Sequence, residues 1–148
     1  MGRVLAIDYG RRRVGLAVTD PLGLTAQGLP TLVINHWEDI LDWVRANRGE
    51  WEIEKVIVGL PRSLSGGMGP MANEVVEFAN VLRERTKLPV ELIDERLTSR
   101  EAHATFAQAG KKLKGRKEAI DRISAVLLLQ HYMEMKSPPP EMSDTEEA

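Results

Sequence analysis

Four acids stand in this chain where side chains could do chemistry: Asp8, Asp94, Glu95 and Asp121. Asp8 ends one apolar run and opens Asp8-Tyr9-Gly10-Arg11-Arg12-Arg13-Val14-Gly15, a basic, glycine-bounded turn leading into a second apolar run. Asp94 and Glu95 end another such run, and Asp121 falls one turn into a helical pattern. An acid at a strand end is desolvated on one side and open on the other, which suits a cation or a phosphate-bearing substrate. Carboxylates that converge repel one another unless a cation binds between them. Hard oxygen donors favour Mg²⁺ or Mn²⁺, which keep several waters and bridge to phosphate oxygens. A pair of such ions about 4 Å apart activates water and stabilises the leaving oxygen in phosphodiester hydrolysis. Taken singly, Asp8 also reads as a strand-terminating acid before a solvated turn, and Asp121 as an early-helix acid that complements the helix dipole.

Basic groups accompany the acids. Arg62 lies in the glycine-rich segment 61–70, and Lys111, Lys112, Lys114, Arg116 and Lys117 form a glycine-punctuated loop directly before Asp121. Such groups suit a polyanion read through its backbone and shape. No row of aromatics offers itself for base stacking. Trp37, Trp43 and Trp51 read as packing residues around the first helix, and His36, His103 and His131 lack metal-ligand spacing.

The elements that must position these groups follow from periodicity. Apolar runs at 3–8, 14–19 and about 29–34 predict an antiparallel meander. Residues 36–47 carry Trp37, Ile40, Leu41 and Val44 at helical spacing, with Asn35 as N-cap and Gly49 as stop. The run 55–60, apolar on both faces and followed by Pro61, predicts a buried central strand. A helix over about 71–87 and a strand over 90–95 come next. Thr98-Ser99-Arg100-Glu101 has capping-box spacing and starts a short helix to about Gln108, and a final helix occupies about 118–135. On that last helix Asp121 shares a face with Ser124, Ala125 and Leu128, small and apolar enough to pack closely on a sheet. Strands separated by helices need crossovers, so the last two strands should pair parallel beside the antiparallel hairpin in a mixed sheet. Strand alternation puts Asp94 and Glu95 on opposite faces, so only one can join Asp8 and Asp121, and periodicity does not say which.

The chain has 148 residues, 43% of them hydrophobic, which fits a single domain, here expected over 1–136. The absence of cysteine excludes a disulfide framework, a thiol nucleophile and a thiolate metal site, and fits a cytoplasmic location. No apolar run reaches the roughly 20 residues of a membrane span or forms a signal peptide. The proline-rich acidic tail 137–148 is expected to be disordered. It holds four of the acids, so the rest of the chain carries 20 bases against 18 acids, too mild a balance for a basic nucleic-acid-binding module.

The chain resembles the YqgF/RuvX family of resolvase-like nucleases in the ribonuclease H-like superfamily, over about residues 3–135. The likeness rests on the Asp8–Gly15 motif, on Gly59-Leu60-Pro61 with Gly66 and Gly69-Pro70, on Asp94-Glu95-Arg96-Leu97-Thr98, and on Asp121 with Ser124-Ala125 and Leu128-Leu129-Gln130. Ser63 departs from the family, whose members often have Asn there. The resemblance implies an α/β fold with a five-stranded mixed sheet in order 3-2-1-4-5, flanked by helices. It implies Asp8, Glu95 and Asp121 as catalytic acids holding Mg²⁺ or Mn²⁺, with Asp94 the runner-up for Glu95. Arg13 carries over with Asp8 as a substrate-binding group, and Arg62, Arg96, Lys111, Lys112, Lys114 and Arg116 complete that set. Arg11 and Arg12 are left as solvated turn residues. The implied activity is endonucleolytic cleavage of structured nucleic acid, foremost the 5′ end of pre-16S rRNA. The alternatives are resolution of four-way DNA junctions and a non-catalytic role in ribosome assembly or nucleic-acid binding. A monomer or a homodimer fits, the latter if two strands are cut symmetrically. An actin-like phosphotransferase also uses an Asp-x-Gly hairpin, but it duplicates the domain to enclose ATP, and this length holds one copy.

Overall fold

Runs of β-branched and leucine residues broken by glycine, proline and aspartate lay down the sheet. The computed structural model describes residues 2–61, 68–94 and 117–136. In chain order the elements are β1 (Arg3–Asp8), β2 (Arg13–Thr19), β3 (Ala26–Val33), α1 (Glu38–Asn47), β4 (Ile53–Leu60), α2 (Pro70–Thr86), β5 (Val90–Asp94) and α3 (Lys117–Lys136). The strands form one sheet in the order β3-β2-β1-β4-β5. β1 pairs antiparallel with β2, and β2 with β3, whereas β4 runs parallel to both β1 and β5. The mixed sheet and strand order expected from the sequence are therefore present, and each parallel pair is joined through a helix.

Alternation along the strands divides the core into two layers of different texture. Leu5, Ile7, Val14, Leu16, Val18, Val56, Val58 and Val90 face α1 and α2, where Ile40, Leu41, Val44, Val75, Phe78 and Leu82 fill the space. The opposite face offers Ala6, Ala17, Ile57 and Ile93 to α3, which answers with Ala125, Leu128, Leu129 and Tyr132. Large side chains hold the first pair of layers apart, whereas small ones bring α3 close to β1, β2 and β3. The second layer is the one that carries the site.

Several boundaries differ from expectation for local reasons. β3 begins at Ala26, ahead of the expected 29, because Ala26-Gln27-Gly28 carry no apolar run yet pair with Thr19, Val18 and Ala17. As an edge strand it tolerates Pro30. α1 begins at Glu38 after an N-cap at Trp37 that makes no side-chain cap bond, so Asn35 is not the cap. Instead Asp39 reaches back, its Oδ2 accepting the Asn35 and His36 N–H groups at 2.8 and 3.3 Å. The helix ends at its C-cap Arg48, directly before Gly49 as expected, although Gly49 does not take the left-handed conformation of a glycine cap. α2 starts at Pro70, whose missing N–H costs nothing in a first turn, and ends through Lys87 at φ 63°. The expected helix 98–108, the basic loop and the tail 137–148 lie outside the described residues.

Candidate active site

Asp8 is the last residue of β1 and pairs across the hairpin with Gly15 of β2. It follows Val4 and Ala6 in the alternation and so lies on the α3 side of the sheet. α3 crosses that side directly above Gly15: a Cβ there would meet the Asp121 carbonyl oxygen at 2.3 Å and the Ala125 Cβ at 3.4 Å. Only glycine lets the helix descend this far. Asp121 thus arrives over the residue paired with Asp8, and the first and last chemistry-bearing acids of the sequence share one end of one sheet face. Asp8 has interactions of its own within the fold.

Arg13, the first residue of β2, lies two positions from Gly15 and hence on the same face. Its Nε donates to Asp121 Oδ2 at 2.8 Å, with both side chains about one third exposed or less, at 34% and 27%. Next along α3, Arg122 donates from Nε to the Leu29 carbonyl at 3.1 Å and fixes the helix to β3.

Asp94 does not belong to this face. It is level with Leu60 and follows Val90 and Leu92, which pack toward α1 and α2, while Glu91 and Ile93 point to the α3 side. Among the described residues, accordingly, no three His, Cys, Asp or Glu side chains gather in a way that could hold a metal ion. Glu95, Arg62, Arg96, Lys111, Lys112, Lys114 and Arg116 lie outside the described residues. Glu91 serves the fold instead, accepting from Lys55 Nζ at 2.8 Å. That bond holds its carboxyl below the ordinary carboxylate value and lifts the Lys55 ammonium above its own.

The turn between β1 and β2 has a partner that the sequence did not reveal. Arg11 is not simply solvated: its Nε donates to Glu74 Oε1 on α2 at 2.9 Å, and the Tyr9 hydroxyl donates to Glu74 Oε2. Burial, then the bond to Glu74, pushes the Tyr9 hydroxyl well above its usual range, and the same hydroxyl pulls the Glu74 carboxyl down. No local pattern could signal contacts separated by 63 and 65 residues. These groups line a cavity of ≈ 620 Å³ with Asn35, His36 and Trp37 on the α1/α2 side of the sheet. A cavity of ≈ 810 Å³ lies at the far end, between the β2–β3 turn and the C-terminal half of α3, remote from Asp8.

A mixed five-stranded sheet in this order, with helices packed on both faces, is the ribonuclease H-like fold. Solved structures agree on the fold. The RuvC of Thermus thermophilus in complex with Holliday junction substrate superposes with a TM-score of 0.56 at 17% identity, covering 92% of this chain and 97% of that one. The fowlpox virus resolvase with Holliday junction DNA gives 0.56 at 13% identity over 90% of this chain and 97% of that one. In sequence, residues 2–135 match the RuvX family, described as Holliday junction resolvase, and the chain belongs to that family. A relative from Koribacter versatilis is 45% identical over 91% of this chain and 88% of its own. One from Syntrophomonas wolfei is 41% identical over 89% of this chain and 94% of its own. Both carry the name pre-16S rRNA nuclease.

Proposed function

We propose that this protein is a divalent-metal-dependent endonuclease that hydrolyses phosphodiesters of structured RNA, with the 5′ end of pre-16S rRNA as its substrate. The observation that carries the reading is the passage of the α3 backbone at Asp121 over Gly15, the residue that pairs with Asp8 at the end of β1. Membership of the RuvX family and the names of the relatives support it. The donor set fits Mg²⁺ or Mn²⁺: oxygen ligands only, on one face, with no thiol anywhere in the chain. Glu95 is the third acid of the proposal. Its support is the alternation that takes Asp94 to the other face, together with the family motif Asp94-Glu95-Arg96.

In this mechanism Asp8 on β1, Asp121 on α3 and Glu95 would hold the ion. A divalent ion held there would supply Lewis acidity for water activation and for charge developing on the leaving group. Arg13 approaches the scissile phosphate from β2, where its forked donors match phosphate oxygens. Arg62, Arg96, Lys111, Lys112, Lys114 and Arg116 hold flanking phosphates and set the register of the strand without reading bases. The protein acts in the cytoplasm, and no helix among its described residues is long and apolar enough to cross a membrane.

The family description favours a second substrate, the four-way DNA junction. Cleavage of a pre-16S rRNA fragment and a synthetic junction, assayed in parallel with Mg²⁺ or Mn²⁺, decides between them. The expected result is metal-dependent cutting of the RNA by wild type and none by Asp8→Asn or Glu95→Gln. Cutting of the junction alone would select the resolvase. Binding of structured RNA without turnover in either metal would make the protein a non-catalytic assembly factor.

A further inference from the structure

We propose that Arg13 is the built-in counter-ion of the acidic site, holding Asp121 when no metal is bound and released by the divalent ion that takes its place. The inference rests on the metal-dependent nuclease reading and deepens it by assigning Arg13 a part in metal loading.

Two observations carry it. Arg13 Nε is already bonded to Asp121 Oδ2 at 2.8 Å, and both groups are more than half removed from solvent. Arg13 occupies the α3 face two positions from Gly15, the residue that pairs with Asp8 and lies under the Asp121 backbone. A guanidinium is a permanent cation, so a second cation at the same carboxylate meets a like charge. An incoming divalent ion shares one carboxylate with that guanidinium in a partly desolvated place, where like charges repel far more than in water. The freed fork is of the type that grips phosphate bidentately. Metal binding would thereby convert Arg13 from a partner of Asp121 into a partner of the substrate. The same turn supplies a control: Arg11 makes an ion pair of nearly equal length, at 2.9 Å with Glu74, but on the opposite side of the sheet.

The test is Mn²⁺ binding to the full chain without nucleic acid, followed through the electron paramagnetic resonance signal of free Mn²⁺. Thermal melting with and without Mn²⁺ runs alongside. Arg13→Gln should bind Mn²⁺ about tenfold more tightly than wild type, within the usual range of coupling between two ligands of one site. Its melting temperature should fall without metal and recover further than wild type on adding Mn²⁺. Arg13→Lys, which keeps the charge, should bind as wild type does, as should Arg11→Gln, and Asp121→Asn should bind weakly. Circular dichroism of each variant establishes that it is folded. Equal or weaker Mn²⁺ binding by folded Arg13→Gln overturns the inference and makes Arg13 a clamp that orients Asp121, while leaving the nuclease reading intact. Absence of both Mn²⁺ binding and cleavage in wild type overturns the two together.

Discussion

Gly15→Ala tests whether the close seating of α3 is what brings the acids together. The added Cβ would lie 2.3 Å from the Asp121 carbonyl oxygen, where real Cβ atoms stay beyond 3.0 Å. The obstacle is helix backbone, which no rotamer change can move, so α3 must retreat by ~0.7 Å or more at Asp121. Overpacking of this kind costs about 1–3 kcal/mol of stability. A displacement of about 1 Å in a catalytic group costs on the order of 100-fold in rate, or about 2.7 kcal/mol on the barrier. Single-turnover cleavage at saturating Mg²⁺, paired with thermal melting, reads both effects. Gly28→Ala is the matched control, because its Cβ would come equally near, 2.3 Å, but to the Arg122 side-chain Cγ. That side chain can rotate away, giving up its bond to the Leu29 carbonyl for about 1 kcal/mol, and the cleavage rate should not change. A Gly15→Ala protein that melts and cleaves as wild type does would refute the argument.

Other predictions concern the frame. Phe78 is fully buried between α2 and the sheet, so Phe78→Ala should lose about 3–5 kcal/mol in urea unfolding. Glu74 and Glu91 are held below 4.5, and Asp20 and Asp39 below 3.8. Their ionised forms are favoured by folding, so that stability is complete above about pH 4.5 and drains away as pH falls through the lower folded values. Urea midpoints between pH 6 and pH 3 should fall accordingly, and less steeply for Glu91→Gln; an unchanged slope would remove Glu91 from the account. The Tyr9 hydroxyl is shifted the other way, so its contribution holds below its ordinary value of 10.0 and is lost only as pH rises through the higher folded one. Absorbance titration should show this tyrosine ionising late in wild type and earlier in Glu74→Gln.

Strands were legible where the chain spells them twice, in apolar composition and in the turn that follows. β1, β2 and β4 have both, and their core stretches lie where the apolar runs put them. β3 opens with Ala26-Gln27-Gly28, which owes its strand conformation to pairing with β2 and leaves no trace in local pattern. Asn35 has the right chemistry for the cap of α1, yet the Glu38 N–H it would take donates to His36 Nδ1 at 3.1 Å, and Asp39 reaches back to the Asn35 and His36 N–H groups with charge-assisted bonds. Spacing on α3 showed that Asp121 sits above a small apolar stripe, and Ala125 and Leu128 are indeed buried there. Alternation separates Asp94 from Glu95 without saying which face is which, and the packing of β5 that puts Asp94 on the α1/α2 side leaves no mark in the local pattern. The grip of Glu74 on Tyr9 and Arg11 joins the first turn to a distant helix, and no one-dimensional signal reports it.

The bond between Arg13 and Asp121 spans 108 residues of chain. α3, which brings Asp121, is the last described element to be synthesised, and it docks on the strands made first. A polypeptide that has not reached α3 therefore has nothing to cover Gly15 and the Ala6/Ala17 face of the hairpin, and has no Asp121 for Arg13 to hold. The order of the sequence thus makes the proposed acid pair a late product of folding, available only once α3 has been made and has docked on the hairpin.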